Sequence, residues 1–551
     1  MQAAAPESSA RRQDIVATWP AFVGLAFACV ILIAFRLHAF DLPLETDECN
    51  YAYIGSRLLA GDRLYADVWD HQPFGVFVLF ASAIALFGDA PEVFRWMATG
   101  SSVVSLLLVY AIARRGTGPG AACTAAMLFA LASSDPGTAG EGCNREIFMN
   151  TLVLAAWWLA MRRSPAGAWS TLAAGGAIGV ASTLKTVVVV HWALLALWMA
   201  LDTRRHAAIG LRTRQTLVSL ALFAVAPACV WLAASAYFGL TERFGVFVDA
   251  VFLFNVSYAD GSGGLLDRLG TFFSPPRHPF IFDSALPLWI GGVLASAWLA
   301  FDAAVRRDAL AAAILLLGVA GFMAICLPGR FWPHYYALLV PVVVIAVPVV
   351  VGRLADRLHQ SGRLRPRVAR VSGGVLLAVF PLWLFNTEYD AYLSQPPFGI
   401  TVNRYNSRDF WGRAHGENVR RVTEPGDEVF VYGNEAEFYY YARRRCASRY
   451  TMITAIHSGY AGHETHRTIM LEELKRRKPR LICVLFDEDP FDEWTAFLEE
   501  YYSAPIGWDY HDRTGELIMF VVARKDRPPT DRIDWNWDRS AVGGWFAGDK
   551  R

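Results

Sequence analysis

The chain has 551 residues, 54% of them hydrophobic and 13% aromatic, a composition too apolar for an ordinary soluble protein and one that predicts a polytopic membrane protein. Its formal net charge is +1, and no long basic run is interleaved with aromatic residues, which sets nucleic acid aside as a partner.

A helix that crosses a bilayer needs about 20 mostly apolar residues, because the hydrocarbon core is roughly 30 Å thick and every backbone amide must be paired inside it. The first such run is Ala17 to Phe35, after a polar tail bearing Arg11 and Arg12. It is too long for a signal-peptide core and lacks a small-residue cleavage site, which predicts an uncleaved anchor with a cytoplasmic N-terminus. The next run, Pro73 to Gly88, is short and begins at a proline. If it and Phe94 to Ala113 both spanned, Arg114 and Arg115 would fall outside, against the preference of basic residues for the cytoplasm. It is expected to be an interfacial or re-entrant helix, leaving residues 36–93 as one long extracytoplasmic loop.

The later spans are then Gly120 to Ser134, Ile147 to Met161, Ala168 to Leu184, Val187 to Leu201, Leu217 to Phe238, Ala285 to Ala304, Ala309 to Leu327, Tyr335 to Val351 and Val371 to Phe385. These eleven spans keep arginines at every inward end. Residues 1–387 are expected to form the membrane domain, and 388–551 an extracytoplasmic α/β domain. In the latter, "DEVFVYG", "RLICVLF" and "ELIMFVVAR" have strand character, whereas "EAEFYYYARRR" and "TIMLEELKRRK" have helical spacing. Four cysteines fall in outward segments, so Cys49 with Cys143 and Cys446 with Cys483 are candidate disulfides.

Ionisable residues gather in four outward segments: "LETDECNY", "AGEGCNREIF", the Lys185 turn and "LPGRFWPHYY". Each has a plain reading. Thr46 is a good N-cap, Asp47 and Glu48 suit the first turn of a helix, and Tyr51, Ile54 and Leu58 continue it until Gly61. Arg95, Arg145, Lys185 and Arg330 can anchor at headgroups, and His334, Tyr335 and Tyr336 can belong to an aromatic belt. The plain readings do not explain why a second acidic segment, Glu141 to Glu146, reaches the same membrane face. Carboxylates and cations together at one leaflet suit a reaction that needs a base and releases an anion.

The order "TDE…Y…GSRLLAGDRLYADVWDHQPFG…FR…TG", an acidic second outward loop, a lysine-bearing fifth span and "GRFWPHYY…P" resembles the GT-C superfamily of polytopic glycosyltransferases. Within it, the likeness is to the branch holding protein O-mannosyltransferases and lipid A aminoarabinose transferases, over roughly residues 15–350. The resemblance implies transfer of a sugar from a polyprenyl-phosphate carrier, usually with inversion, to a glycan, lipid or protein acceptor at the outer face of a bacterial cytoplasmic membrane. It implies Asp47 as the base that activates the acceptor, with Glu48 beside it. It also implies Arg95, Lys185, Arg330 and His334 facing the donor phosphate, and Glu141, Arg145, Glu146 and His71 positioning the acceptor or a metal. No cofactor is required by these residues; a divalent cation, Mg or Mn, is the one candidate. One departure stands out: the aminoarabinose transferases carry Glu-Lys-Pro where this chain has His71-Gln72-Pro73.

A nucleotide-sugar enzyme would need its acids on the inner side. Asp487-Glu488-Asp489 mimics an Asp-x-Asp metal motif but is expected outside, and "GTGPGAA" lacks the lysine of a phosphate loop. A transporter or flippase of a lipid-linked glycan should show charges at mid-membrane depth and internal repeats, and neither is clear. For a non-enzymatic envelope scaffold, the first loop's acids would be dispensable.

Overall fold

The structure, a computed structural model, describes residues 7–162, 165–260, 264–274, 281–361, 366–396, 400, 408–457, 462–485, 490–510 and 517–527. Asp487-Glu488-Asp489 and the C-terminal "WNWDRSAVGGWFAGDKR" lie outside the described residues. The chain divides into two compact units, each made of separated segments. One comprises Met1–Phe40, Phe94–Ala236 and Ser262–Gln395; the other comprises Asp41–Val93, Tyr237–Gly261 and Pro396–Arg551.

The first unit is helical, and helix is found in each of the eleven expected spans, with Tyr335 to Val351 broken by a turn at residues 337–339 between Pro333–Tyr336 and Val340–Gln360. Among the described residues, seven regions are long and apolar enough to cross a membrane: Trp19–His38, Pro91–Ala113, Thr186–His206, Ile209–Leu240, Leu286–Val305, Ala309–Cys326 and Pro333–Gln360. Pro119–Ala132, Arg145–Met161 and Ala168–Leu184 have 14, 17 and 17 residues. At 1.5 Å per residue, 17 residues cover only about 26 Å. Pro366–Glu388 is the eleventh. The protein is therefore a multi-pass helical membrane protein.

Small residues let these helices approach closely. Gly175 and Gly179 lie four apart on Ala168–Leu184, and a Cβ at either would strike backbone of Arg212–Leu240: Phe223 O at Gly175, and Pro227 Cα at 2.8 Å for Gly179. At other helix ends charge does the fastening. Asp302, wholly buried, accepts from Arg306 at 3.1 Å, Arg353 at 3.4 Å and Arg357 at 2.7 Å, while Asp308 caps Ala309–Cys326 through Ala311 N and pairs with Arg353 at 2.9 Å. One carboxylate thus ties the ends of two helices that are far apart in sequence.

The second unit carries a five-stranded sheet: β1 Glu428–Tyr432, β2 Arg445–Cys446, β3 Leu481–Leu485, β4 Gly507–Tyr510 and β5 Leu517–Ala523, in the order β2-β1-β3-β5-β4. The first three are parallel, and β5 and β4 are antiparallel additions. The alternation in "DEVFVYG" and the continuous apolar run of "RLICVLF" place β1 and β3 at the buried centre, where Trp494 stacks on Tyr432 with ring centroids 4.3 Å apart. Helices His463–Arg477 and Glu437–Ala442 fall where helical spacing predicts them.

Against this sheet unit's own core packs the hairpin of Thr46–Leu59 and Phe74–Phe87. Phe74–Phe87 has 14 residues, or about 21 Å, too short to cross a bilayer. Gly55 makes the hairpin possible, since a Cβ there would lie 2.9 Å from Ala81 N. Two expectations are corrected. The N-cap of the first helix is Glu45, with Thr46 already inside the first turn, its hydroxyl donating to Glu437 Oε1 at 2.6 Å. All eight cysteines are free thiols. The pairing of Cys446 with Cys483 fails because β1 lies between their strands, and two strand spacings, roughly 9.6 Å, exceed the Cα reach of a disulfide. Cys49 instead donates to Leu44 O at 3.4 Å.

Candidate functional site

The ten residues singled out in the sequence fall into both units. Asp47, Glu48 and His71 belong to the second; Arg95, Glu141, Arg145, Glu146, Lys185, Arg330 and His334 belong to the first.

Asp47 and Glu48 are adjacent but treated differently by the fold. Glu48 is wholly buried and turns back on its own helix, its Oε2 accepting from Glu45 N at 3.2 Å. That contact fixes the helix start. Asp47 is half-buried, and its one hydrogen bond is a long one, from Tyr51 Oη at 3.4 Å. Its remaining lone pairs have no protein partner among the described residues.

Sequence reading missed the group that braces this helix. Asn50 donates to Asp70 Oδ2 at 2.5 Å and accepts from Thr451 at 2.6 Å; Asp70 Oδ1 also accepts from Gln72 N at 2.7 Å and lies 3.5 Å from His71 Nδ1. The His71 ring packs on Phe254 and Tyr258, with centroids at 5.0 and 5.4 Å, and its carbonyl accepts from Asn255 at 2.8 Å. Asp70 carried a signal in its neighbours, an acid inside "VWDHQP" between two apolar stretches; Asn50 and Thr451 carried none, because their partners are 20 and 401 residues away. The loop is closed by Tyr65 in a left-handed conformation, φ 67°, costing about 1–3 kcal/mol for a non-glycine residue. Its hydroxyl, donating to Gln72 O at 2.8 Å, and its ring, against Phe238 and Phe247, hold it there.

In the first unit, Lys185 sits where the helix Ala168–Leu184 ends, its backbone extended at φ −155° and ψ 127°. The break swings its ammonium 2.6 Å from Glu146 Oε1 and 3.3 Å from the centroid of the Tyr335 ring. Arg145 Nε is 3.5 Å from the same Glu146 oxygen, and His334 stacks edge-on to Tyr335 at 4.9 Å. Glu146, Arg145 and Lys185 are buried, and among the described residues two cations meet this one carboxylate, with His334 also facing it. Arg330 is half-buried on a turn whose flanking residues, Gly329 at φ 65° and Phe331 at φ 51°, are both left-handed.

Arg95 is buried and donates to the Glu141 carbonyl at 3.4 Å, so the structure brings the two together through backbone. Arg36, read in the sequence only as the end of the anchor, grips the same loop: it donates to Gly142 O at 3.2 Å, Ser133 O at 2.9 Å and Ser102 Oγ at 2.9 Å. Among the described residues, no group of three or more His, Cys, Asp or Glu side chains is placed to hold a metal ion. No step below is routed through one.

Residues 70–231, less than a third of the chain, match the family model described as dolichyl-phosphate-mannose-protein mannosyltransferase. Among solved structures, ArnT from Cupriavidus metallidurans bound to undecaprenyl phosphate matches with a TM-score of 0.57 at 17% identity, over 92% of this chain and 98% of that one. The archaeal oligosaccharyltransferase AglB from Archaeoglobus fulgidus, in complex with an inhibitory peptide and a dolichol-phosphate, gives 0.57 at 14% identity, over 93% and 75%. The Archaeoglobus fulgidus oligosaccharyltransferase tethered to an acceptor peptide containing the NVT sequon gives 0.53 at 16% identity, over 93% and 75%. No curated protein matches the chain in sequence. At these identities what is shared is the fold, and the chain has the fold of these ArnT and oligosaccharyltransferase structures.

Proposed function

We propose that the protein is an inverting glycosyltransferase that moves a sugar from a polyprenyl-phosphate donor to a glycan, lipid or protein acceptor at the outer face of a bacterial cytoplasmic membrane. One observation carries the reading: Asp47 is the acid left with unengaged lone pairs on the first turn of a braced helix. A base must hold a free lone pair in a fixed direction, and the neighbouring Glu48 has spent its own on the helix start.

The chemistry then balances simply. The acceptor oxygen attacks the anomeric carbon, its proton passes to Asp47, the bond from that carbon to the phosphate oxygen breaks, and polyprenyl phosphate leaves with the electron pair. The leaving phosphate needs no general acid. Its charge needs cations already in place, a role we assign in the first unit to Arg95, Lys185, Arg330 and His334, supported by the two cations that meet Glu146. Glu146 holds Lys185 and Arg145 in the first unit, and Glu48 sets the direction of Asp47 in the second.

The test is transfer of a labelled sugar from a polyprenyl-phosphate donor by the full chain in proteoliposomes, with and without Mg or Mn. Asp47→Asn is expected to lower the rate by about 10²–10⁴-fold while polyprenyl phosphate binding, read by native mass spectrometry, is kept. Unchanged transfer would overturn the base assignment. Flux of an intact lipid-linked glycan without bond cleavage would favour a transporter.

A further inference from the structure

Glu388 ends the helix Pro366–Glu388, beyond the expected span Val371 to Phe385, and is fully buried within the first unit. Neither of its carboxyl oxygens has a hydrogen-bond partner among the described residues. The charges that face it are acids: Asp135, on the turn after Pro119–Ala132, and Glu141, on the loop before Arg145–Met161. Tyr392, on the turn that follows Glu388, also faces it, but its hydroxyl donates to Phe35 O at 2.8 Å. Two cations, Arg36 and Arg95, face Tyr392, and Arg36 also faces Glu141. Arg36 serves Ser102, Ser133 and Gly142, and Arg95 donates to the carbonyl of Glu141. Asp135 is hydrogen-bonded as a carboxylate should be, accepting from Gly137 N and Ser284 Oγ at 2.7 Å each.

An ionised carboxylate that is buried, has no donor among the described residues and lies beside two other acids is strongly disfavoured. Both burial and the two acidic neighbours therefore favour the protonated form of Glu388. No third or fourth ligand among the described residues makes this a metal site. A proton is the ligand that fits.

We propose that Glu388 is carried as the neutral carboxylic acid, and that its proton is what allows three acids to share this buried space, making the loop from residue 133 to residue 142 a pH-sensitive latch. The loop is gripped by Arg36 at Ser133 and Gly142 and by Arg95 at Glu141, and it leads directly into Arg145 and Glu146. Loss of the proton would place a third negative charge against Asp135 and Glu141 and push the loop off its arginines. The inference stands whether or not the protein transfers a sugar.

The sign follows from linkage. A carboxyl that holds its proton more tightly when folded contributes stability that is full below its unfolded value, about 4.3 for Glu, and lost as pH rises through the folded value. The thermal midpoint of the full chain in nanodiscs is expected to fall as pH rises above about 4.3, and to go on falling until the folded value is passed. Glu388→Gln should flatten that fall, and amide exchange across residues 133–142 at high pH should be faster in the wild type than in Glu388→Gln. The infrared spectrum of the wild type, with ¹³C-labelled glutamate for assignment, should show the carbonyl stretch of a protonated carboxyl that Glu388→Gln lacks. Parallel pH profiles, or no such band in the wild type, would overturn the proposal. Should Glu388→Gln fail to fold, Glu388→Leu and the wild-type band alone decide it.

Discussion

Lys185 and Glu146 show how two residues that read as separate functional candidates can be one object. Removing a single partner of a buried, hydrogen-bonded ion pair leaves the other charge stranded, a loss of about 3–5 kcal/mol. Lys185→Met and Glu146→Gln are each expected to lower the thermal midpoint strongly, whereas the double variant should recover much of the loss; additive losses in the cycle would deny the coupling. Glu48 makes a different prediction from its neighbour. Glu48→Ala should weaken the helix start by about 1 kcal/mol and lower transfer without changing donor affinity, which a kcat and KM comparison with Asp47→Asn separates. The cysteines give a third. Burial pushes the Cys446 and Cys483 thiols up to about 12, so at neutral pH neither should be alkylated until the protein is unfolded, as peptide mass spectrometry after maleimide treatment would read. At this scale the sequence revealed which residues are acids and bases, since type and local spacing are one-dimensional facts. It could not reveal that Asn50, Asp70 and Thr451 act together, because hydrogen bonds across 401 residues leave no periodicity.

At the scale of elements, the helices were legible because apolar length and arginine placement both act along the chain. Helix starts were less so. Thr46 reads as a cap because threonine is good at it, but Glu437 competes for its hydroxyl, and the cap moves back to Glu45. Strand order was not legible at all, and with it went the Cys446–Cys483 pairing. Glycine carries the element-scale prediction. Gly55→Val would force Thr46–Leu59 away from Phe74–Phe87, since backbone atoms of Phe80 and Ala81 cannot yield as a side chain can. An overpacking loss of about 1–3 kcal/mol is expected, together with a transfer defect larger than the stability loss explains, because the displaced helix carries Asp47. Gly175→Leu, in the other unit, should destabilise Ala168–Leu184 against Arg212–Leu240 and be seen as loss of the monodisperse peak in detergent.

At the scale of the whole molecule, the segment with the proposed base does not belong to the helical unit that flanks it in sequence. Asp41–Val93 is built into the same unit as the C-terminal sheet: Thr46 donates to Glu437, Trp69 N donates to Arg449 O at 2.8 Å, and Cys446 N donates to Tyr53 Oη at 2.8 Å. A chain cut at residue 387 should insert in membranes yet leave the first loop open to protease and transfer nothing; a protected loop in that fragment would contradict this. The same interleaving sets a timetable for biosynthesis. The partner of Asn50 is Thr451, 401 residues later, and at roughly 5–20 residues per second the first loop waits about 20–80 s before the residue that braces it is made. During that interval its buried acids and aromatic residues stand exposed, so the most vulnerable moment in the life of this protein is its own synthesis, and a chaperone would act on that loop before any other part of the chain.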